Sequence, residues 1–250
     1  MHDSRVIVGA GSGIGRSLLR LSLGCSDESL VLFDKSFDKG FLHEFGAFKS
    51  RLSLVEGDVD LETDWNRHFS DVTSVCSFAF LLPQCRSRDT DLAPLGFTKS
   101  FSRNVSELNF SLLKCLESLQ PKFTGKANLV FVSSVLGTRV ALDDASLDYH
   151  ASKAVLESIM RYMAVRLSPV SVNCVAPGLI ARDLNSKLVC DPQIASRVHK
   201  SVPLGRACSQ DEVAKVCWAL CSGAMPYVSG QMIVMDGGSM VLEPFGITGR

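Results

Sequence analysis

The segment YHASK at positions 149–153 places a tyrosine four residues before a lysine. On a helix, Tyr149 and Lys153 would lie on one face, about one turn apart. A phenol with an ordinary pKa near ~10 is a poor base at neutral pH. A lysine ammonium at about 5 Å, with an effective dielectric constant of about 20, would stabilise the phenolate by roughly 3 kcal/mol, or about two pKa units. The pair could therefore perform general acid–base catalysis.

Most tyrosine–lysine pairs at this spacing are only surface neighbours, so a second signal is needed. The stretch VGAGSGIGRS supplies one, because it directly follows a predicted strand and opens a predicted helix. It is not G-x-G-x-x-G, since Ile14 stands at the last position, and it is not a P-loop. Glycines in such a turn let the backbone approach a pyrophosphate, whose charge the amide groups of the helix N-terminus can meet.

We expect this turn to bind a dinucleotide, although a tight strand–helix turn without a ligand would show the same pattern. The residues predicted to contact the cofactor here are Gly9, Gly11, Ser12, Gly13, Ile14 and Gly15.

A carboxylate follows at the spacing that a ribose-binding acid requires. The second predicted strand ends at Asp34, 19 residues beyond Gly15, close to the expected offset of about 20 residues. Asp34 would accept hydrogen bonds from the adenosine ribose hydroxyls and repel a 2′-phosphate, which favours NAD over NADP. Two alternatives stay open: Lys35 could receive a phosphate if Asp34 turned away, and Asp34 could simply be a solvated residue at a strand end.

The elements that must position these residues alternate along the chain. Seven apolar or β-branched runs predict strands at 5–9, 29–34, 51–58, 73–80, 128–134, 170–177 and 230–236. Near-continuous apolar strands are typical of a parallel sheet covered on both faces, and their alternation with helices implies right-handed crossovers. We therefore predict an α/β fold with a doubly wound parallel sheet, whose ligand crevice lies at the carboxyl ends of the strands.

Helices are predicted between these runs, at 15–23, 108–119, 149–167 and 209–222. The last of them opens with Ser209 as N-cap and Glu212 three residues later, which is a capping-box pattern. The remaining longer stretches, at 82–98, 138–148 and 181–204, are predicted to be irregular.

Composition excludes several other classes of protein. Lysine plus arginine and aspartate plus glutamate both total 26 in 250 residues, so no strongly basic face is implied and nucleic acid is a poor candidate partner. The start lacks the features of a signal peptide, and no apolar run reaches membrane-spanning length. We predict a single-domain, soluble, cytosolic protein without a membrane partner.

Cysteine and histidine spacing argues against metal chemistry. The nine cysteines include no C-x-x-C pair, and the five histidines form no H-E-x-x-H motif. We expect most of the cysteines to be buried thiols and predict no metal site.

Taken together, the motifs resemble the short-chain dehydrogenases/reductases. In order they are GAGSGIG, Asp34, GDV at 57–59, SSVLG at 133–137, YHASK, NCVAPGLI at 173–180, VPLGR at 202–206 and SGQMIVMDGG at 229–238. The resemblance runs from about residue 5 to residue 240. It implies one Rossmann-like domain over 1–250 with a seven-stranded sheet and a substrate loop at about 181–204. It also implies NAD(P)-dependent hydride transfer between an alcohol and a carbonyl, in a homo-oligomer that is usually a tetramer or dimer.

The resemblance gives each catalytic candidate a role. Tyr149 would be the general acid/base, and Lys153 would lower its pKa and bind the nicotinamide ribose. Ser134 would hydrogen-bond the reacting oxygen. Asn109, with Asn104 as the competing assignment, would support a water chain to Lys153. Taken singly, Ser134 could merely end a strand and Asn109 could be an ordinary polar residue of a helix.

The resemblance also extends the predicted cofactor site beyond the glycine turn. Asp58 and Val59 would contact the adenine, and Ile180 would meet the nicotinamide carboxamide. The other residues of the predicted cofactor set are Lys35, Ala79, Tyr149, Lys153, Pro177 and Gly178.

Three positions depart from the family pattern, and all of them lie near the cofactor. Val8 replaces a threonine, Phe80 replaces the glycine of an N-N-A-G motif, and Arg182 stands where a threonine is common. None removes the catalytic group. We therefore predict an NAD-dependent oxidoreductase acting on a secondary alcohol or ketone of a small to medium apolar molecule. The alternatives are a cofactor-binding or scaffold protein that has lost turnover, because of Phe80, and a dehydratase or epimerase.

Overall fold

The structure is a computed structural model of the 250-residue chain. It describes residues 3–11, 13–59, 65, 67–81, 97–141, 145–181 and 191–242, without the side chains of 97–104, 107, 108 and 194.

Seven strands form one parallel sheet in the order β3-β2-β1-β4-β5-β6-β7. The strands are β1 (Ser4–Val8), β2 (Ser29–Asp34), β3 (Leu52–Glu56), β4 (Val75–Phe80), β5 (Phe123–Val132), β6 (Ser171–Pro177) and β7 (Met232–Met235). The predicted α/β class and doubly wound sheet are confirmed. The strand β5 begins at Phe123, five residues before its predicted start.

Helices cover both faces of this sheet. They are α1 (Gly13–Cys25), α2 (Lys39–Phe45), α3 (Phe97–Leu119), α4 (Leu147–Arg166), α5 (Pro192–Ser201) and α6 (Gln210–Cys221). The predicted capping box of α6 is present, with Glu212 N donating to Ser209 Oγ at 3.1 Å and Ser209 N donating to Glu212 Oε2 at 2.8 Å. In the described part of the chain, none of these helices is long and apolar enough to cross a membrane.

All three stretches predicted to be irregular contain helix, and here the sequence interpretation was wrong. The helix α4 begins at Leu147, within the stretch 138–148. The helix α5 lies inside 181–204, where Asp191 Oδ1 accepts a hydrogen bond from Gln193 N at 2.8 Å and Pro192 occupies the first turn. Aspartate as N-cap followed by proline is a recognised helix start, so the sequence carried the signal. The helix α3 begins at Phe97, within the stretch 82–98.

Alternation along the strands separates two apolar cores. Val6 and Val8 of β1 face a first core, which contains Phe78 and Phe80 of β4 and is covered by α3 and α4. Ile7 faces a second core, which α1, α2 and α6 cover. Burial of each large apolar side chain contributes about 1.5–3 kcal/mol. The two cores therefore hold the helices firmly against the strand ends that carry the candidate site.

The strand order places the candidate residues on one edge. The chain runs outward from β1 to β3 and then returns to β4 on the other side of β1. Such a switch point opens a crevice at the carboxyl ends of the two central strands. The glycine turn follows β1 at that edge, the serine segment 133–134 follows β5, and the segment 177–178 lies at the end of β6.

Cysteines in the described part of the chain are free thiols. Cys115, Cys174, Cys217 and Cys221 are buried, while Cys25 is exposed. The same part of the chain contains no group of three or more histidine, cysteine, aspartate or glutamate residues that could hold a metal ion.

Candidate active site

The glycine turn connects β1 directly to α1. Gly9 has a φ of 87°, in the region that favours glycine, and its N–H donates to Phe33 O at 2.8 Å. A Cβ on Gly15 would overlap Gly9 O and would lie 2.7 Å from Ala10 Cα. Only a glycine at 15 lets α1 start this close to the strand end. The N-terminus of α1 is thereby placed where an anionic pyrophosphate would be favoured.

A second helix packs beside this turn. The side chain of Gln210, the first residue of α6, lies against Gly13, so a Cβ on Gly13 would overlap it. Ser17 Oγ of α1 donates to Asp211 Oδ1 of α6 at 2.5 Å. Sequence reasoning missed Gln210, since no motif marks it. Ile14 is buried in the second core, and Ser12 lies outside the described residues.

Asp34 folds back onto the glycine turn. Its Oδ2 accepts from Gly11 N at 2.8 Å, and its Oδ1 accepts from Lys35 N at 2.8 Å. A Cβ on Gly11 would lie 3.0 Å from Asp34 Oδ2, so glycine permits this close approach. A carboxylate offers about four acceptor positions. Two backbone hydrogen bonds therefore leave capacity for ribose hydroxyls.

The cations near Asp34 have carboxylate partners. Lys35 Nζ lies 3.1 Å from Asp58 Oδ2, and Arg16 Nη2 lies 2.6 Å from Asp38 Oδ2. Sequence reasoning did not single out Arg16 as a site residue. A 2′-phosphate would have to compete with these carboxylates for either cation.

Other predicted cofactor residues are part of the cores. Val59 belongs to the first core and Ala79 to the second. Phe80, which replaces the family glycine, is 1% exposed and pairs with Val8 in the sheet. Its ring centroid lies 6.3 Å from that of Phe78 in the first core. The phenyl ring is therefore packed among core side chains.

Tyr149 and Lys153 are both buried on one face of α4. Lys153 Nζ lies 5.7 Å from the centroid of the Tyr149 ring. The same ammonium donates to Val132 O at 3.0 Å, at the end of β5. The sheet edge and the helix thus hold the cation beside the phenol.

Ser134 and Asn109 are also buried next to these elements. Ser134 caps a short 3₁₀ turn, Val135–Gly137, with its Oγ accepting from Leu136 N at 3.3 Å. Asn109 Nδ2 donates to Ser152 O at 3.3 Å, and Asn109 Oδ1 is buried without a donor among the described residues. Such an acceptor costs about 1–3 kcal/mol when unsatisfied, so the site suits a water molecule. The side chain of Asn104 lies outside the described residues.

The segment after β6 approaches β7 closely. Gly178 N donates to Met235 O at 2.9 Å, and a Cβ on Gly178 would lie 3.1 Å from Asp236 Cα. Ile180, which is buried, forms a bridge with Cys208. Pro177 is the last residue of β6. Arg182 and the rest of 182–190 lie outside the described residues.

A cavity of about 160 Å³ opens beside this segment. Its lining residues are Leu179, Val202, Leu204, Arg206, Cys208, Glu212, Met235, Asp236 and Gly237. None of the four predicted catalytic residues lines it, so we do not assign the substrate to this cavity.

Two further residues near Tyr149 and Lys153 were not singled out from the sequence. Glu157, one turn beyond Lys153, accepts a hydrogen bond from Ser133 Oγ at 2.7 Å. Burial raises the pKa of Glu157, while the hydrogen bond from Ser133 and the positive charges of Arg161 and Lys153 act in the opposite direction. The common spacing of four residues from Tyr149 to Lys153 to Glu157 was the available signal.

His150 is the second residue that was missed. Its Nε2 accepts from Ala141 N at 3.1 Å, and its Nδ1 lies 2.7 Å from Ser146 O. A neutral ring with its hydrogen on Nδ1 satisfies both contacts. His150 therefore ties both ends of the segment that precedes α4.

The comparisons with known proteins identify the family of this chain. A family model described as "Enoyl-(Acyl carrier protein) reductase" matches residues 10–240. A crystal structure of "Short-chain dehydrogenase/reductase SDR:Glucose/ribitol dehydrogenase" from Brucella melitensis superposes with a TM-score of 0.77 at 21% identity, covering 95% of this chain and 96% of that one. The chain belongs to the short-chain dehydrogenase/reductase family of oxidoreductases. The superposition itself shows the shared fold.

Two curated members of the family illustrate the range of similarity. A tropinone reductase homologue of Arabidopsis thaliana is 34% identical over 164 residues, which cover 64% of this chain and 59% of that protein. L-rhamnose 1-dehydrogenase (NAD(P)(+)) of Azotobacter vinelandii is 28% identical over 257 residues, covering 96% of this chain and 97% of that protein. The first match thus spans less than two thirds of its relative, and the second spans nearly all of it.

Proposed function

We propose that this protein is an NAD(H)-dependent oxidoreductase that interconverts a secondary alcohol and a ketone. The observation that carries the proposal is the buried pair of Tyr149 and Lys153, with the ammonium 5.7 Å from the phenol ring. The pair stands at the sheet edge that also bears the glycine turn. When bound there, the nicotinamide would supply the hydride chemistry.

The residues of the chain would move and hold the proton. In oxidation, Tyr149 would act as a phenolate and take the proton of the substrate hydroxyl; in reduction, the phenol would return a proton to the carbonyl oxygen. Lys153 would favour the phenolate through its charge. Ser134 would hydrogen-bond the same substrate oxygen. Asn109 would bind the water that links Lys153 to solvent, which suits its buried Oδ1, because no described residue donates a hydrogen bond to that atom.

Cofactor recognition would rest on the glycine turn and Asp34. The turn has the close approach of backbone that a pyrophosphate requires, as the position of Gly15 illustrates. Asp34 would accept the ribose hydroxyls with its remaining acceptor capacity, while Lys35 is paired with Asp58. These contacts support NAD over NADP. One relative is named as using NAD(P)(+), so the preference must be measured for this chain.

The first experiment is calorimetric titration of the protein with NADH and, separately, with NADPH. We expect clear binding of NADH and much weaker binding of NADPH. Binding of neither would overturn the proposal and leave the scaffold alternative as the better one. Preferential binding of NADPH would contradict the role of Asp34 but not that of Tyr149.

The second experiment measures turnover with a panel of secondary alcohols and ketones. Tyr149→Phe should lower turnover more than about 100-fold, as is usual when a general acid/base is lost. The affinity for the cofactor should be unchanged. Tyr162→Phe is the matched control, since Tyr162 is an exposed tyrosine of the same helix. Equal activity of Tyr149→Phe and wild type would contradict the mechanism.

The predicted apolar substrate, of small to medium size, would enter near the 181–204 segment. A homo-oligomer would cover the exposed apolar side chains of α3 and α4, such as Phe110 and Val165. The cytosolic location stays a prediction from the sequence.

A further inference from the structure

Glu157 joins the two parts of the candidate site. It lies on α4, one turn beyond Lys153, and is 3% exposed. Its Oε1 accepts a hydrogen bond from Ser133 Oγ at 2.7 Å. Ser133 directly precedes Ser134 and is itself fixed to the sheet, with its N–H donating to Val175 O at 2.8 Å. The carboxylate therefore links the serine segment to the tyrosine–lysine helix.

The surrounding backbone is shaped to accept this carboxylate. A Cβ on Gly137 would lie 2.5 Å from Glu157 Oε1 and 3.3 Å from Ala154 N. A glycine at 137 lets the 3₁₀ turn pack on α4 without displacing the carboxylate. One turn away, Lys153 Nζ donates to Val132 O. Two contacts thus bind the end of β5 to α4, one from the cation and one from the anion.

Titratable groups on α4 and β6 lie close enough to Glu157 to interact with its charge. Lys153 and Arg161, on α4, are the cations that act on it. Cys174 on β6 carries no competing charge, because burial and then the charge of Glu157 raise the pKa of its thiol to about 12. Lys153 is therefore shared between two groups, the phenol of Tyr149 on one side and the carboxylate of Glu157 on the other.

We propose that Glu157 is a positioning residue of the active site: its carboxylate fixes the Ser133–Ser134 segment against α4, and its negative charge opposes ionisation of the Tyr149 phenol. The first effect sets the place of the Ser134 hydroxyl relative to Tyr149. The second keeps the phenol protonated to a higher pH than Lys153 alone would allow. This inference rests on the proposed function for the catalytic role of Tyr149.

The charge effect can be measured without cofactor or substrate. The chain has three tyrosines, and Tyr162 and Tyr227 are exposed. The near-ultraviolet tyrosinate absorbance of a protein minus that of the same protein carrying Tyr149→Phe gives the ionisation curve of Tyr149. Glu157→Gln is the test variant, because its amide oxygen can still accept from Ser133 while the charge is removed.

We expect Glu157→Gln to lower the midpoint of Tyr149 ionisation. Eight helical residues span about 12 Å, and a unit charge at that distance, with an effective dielectric constant of about 20, corresponds to a shift of up to about one pH unit. A purely structural role for Glu157 would not move this midpoint. An unchanged or higher midpoint would overturn the charge effect.

Ser133→Ala tests the positioning effect. Because the substitution is small, this variant should fold even if Glu157→Gln does not. It removes the hydrogen bond but keeps the charge, so the Tyr149 midpoint should move much less than in Glu157→Gln. We expect kcat to fall about tenfold, as for one neutral hydrogen bond of ~1.4 kcal/mol, with KM for the cofactor unchanged. Wild-type kcat in this variant would overturn the positioning effect. A midpoint shift in Glu157→Gln without turnover by wild type would refute the proposed function but uphold the coupling of Glu157 to Tyr149.

Discussion

Replacing Gly15 by alanine tests whether the glycine turn needs its close backbone contact. In the structure the new Cβ would overlap Gly9 O and approach Ala10 Cα to 2.7 Å. Both neighbours are backbone atoms, so no side chain can rotate to relieve the overlap, and α1 would have to move away from β1. Gly24→Ala is a matched control in the same helix, since a Cβ there meets nothing within 4 Å.

The two variants should differ in sign as well as in size. An alanine is favoured over a glycine in a helix by up to about 1 kcal/mol, so Gly24→Ala should be neutral or slightly stabilising. Gly15→Ala gains the same preference but forces an overpacked backbone contact, which typically costs 1–3 kcal/mol or more. We expect it to be the less stable variant by about 1–3 kcal/mol. For a chain of this size that difference lowers the Tm by roughly 2–12 °C.

The assay combines thermal unfolding, followed by circular dichroism, with calorimetric titration of NADH. Gly15→Ala should unfold at a lower temperature and bind NADH at least about tenfold more weakly, since a lost hydrogen bond to a charged group is worth ~1.5–3 kcal/mol. Gly24→Ala should bind NADH like wild type. If the two variants unfold at the same temperature and bind NADH equally, the close contact at Gly15 has no role in the turn, and the reasoning is refuted.

Individual contacts elsewhere in the chain can be tested by single substitutions and by labelling. Asp34→Asn should weaken the binding of NADH and strengthen the binding of NADPH in calorimetric titration. The binding of NADPH improves because its 2′-phosphate no longer meets a negative charge. His150→Leu removes an acceptor and a donor, and should raise KM for the substrate more than it lowers kcat in steady-state kinetics. Burial raises the pKa of Glu28, but the hydrogen bonds, chiefly from Arg5, outweigh burial and lower the pKa from 4.5 to about 2. Glu28→Gln should therefore have a lower free energy of unfolding than wild type in urea. This difference should be largest above pH 4.5 and should vanish as the pH falls toward 2. Among the described cysteines, Cys25 should react with a thiol reagent in the native state well before the buried thiols, as mass spectrometry of labelled peptides can show.

Controls separate these predictions from general damage to the fold. Glu44→Gln, which removes a carboxylate that pairs with Arg20 on α1, should leave the ratio of NADH to NADPH affinity unchanged. An equal ratio in Asp34→Asn and wild type would show that the carboxylate does not select the cofactor. For Glu28, a stability deficit that persists at pH 2 would show that the ion pair is not its source.

Local pattern was sufficient for the order of the strands but not for every helix, because neither α2 nor α5 was predicted. Each of the seven predicted strands is present, because buried parallel strands need apolar runs that are visible in the sequence. The capping box of α6 was also predictable from local sequence, because Ser209 and Glu212 bind backbone groups only three residues apart. The helix α5 was not predicted, although Asp191 followed by Pro192 is a pattern typical of a helix start. The signal was therefore present in the sequence but was not used.

The spacing of Tyr149 and Lys153 likewise predicted their common face, because a helix fixes which residues are neighbours one turn apart. The environment of the Phe80 ring, in contrast, could not be predicted from the sequence. Alternation in β4 puts Phe78 and Phe80 on one face, but only the packing of α3 and α4 against that face shows that the face is a core.

Contacts between distant segments were decided by the tertiary structure alone. Ser133 and Glu157 are 24 positions apart, and Gly11 and Asp34 are 23 apart. Neither separation is a helical or strand period, so nothing local predicts the hydrogen bonds that join them. They form because the parallel sheet brings the carboxyl ends of successive strands, and the helices packed on them, to one edge. The sequence by itself therefore determined the strands and the common helix face of Tyr149 and Lys153. The packing of the elements determined which buried groups, such as Glu157 and Ser133, lie beside that pair.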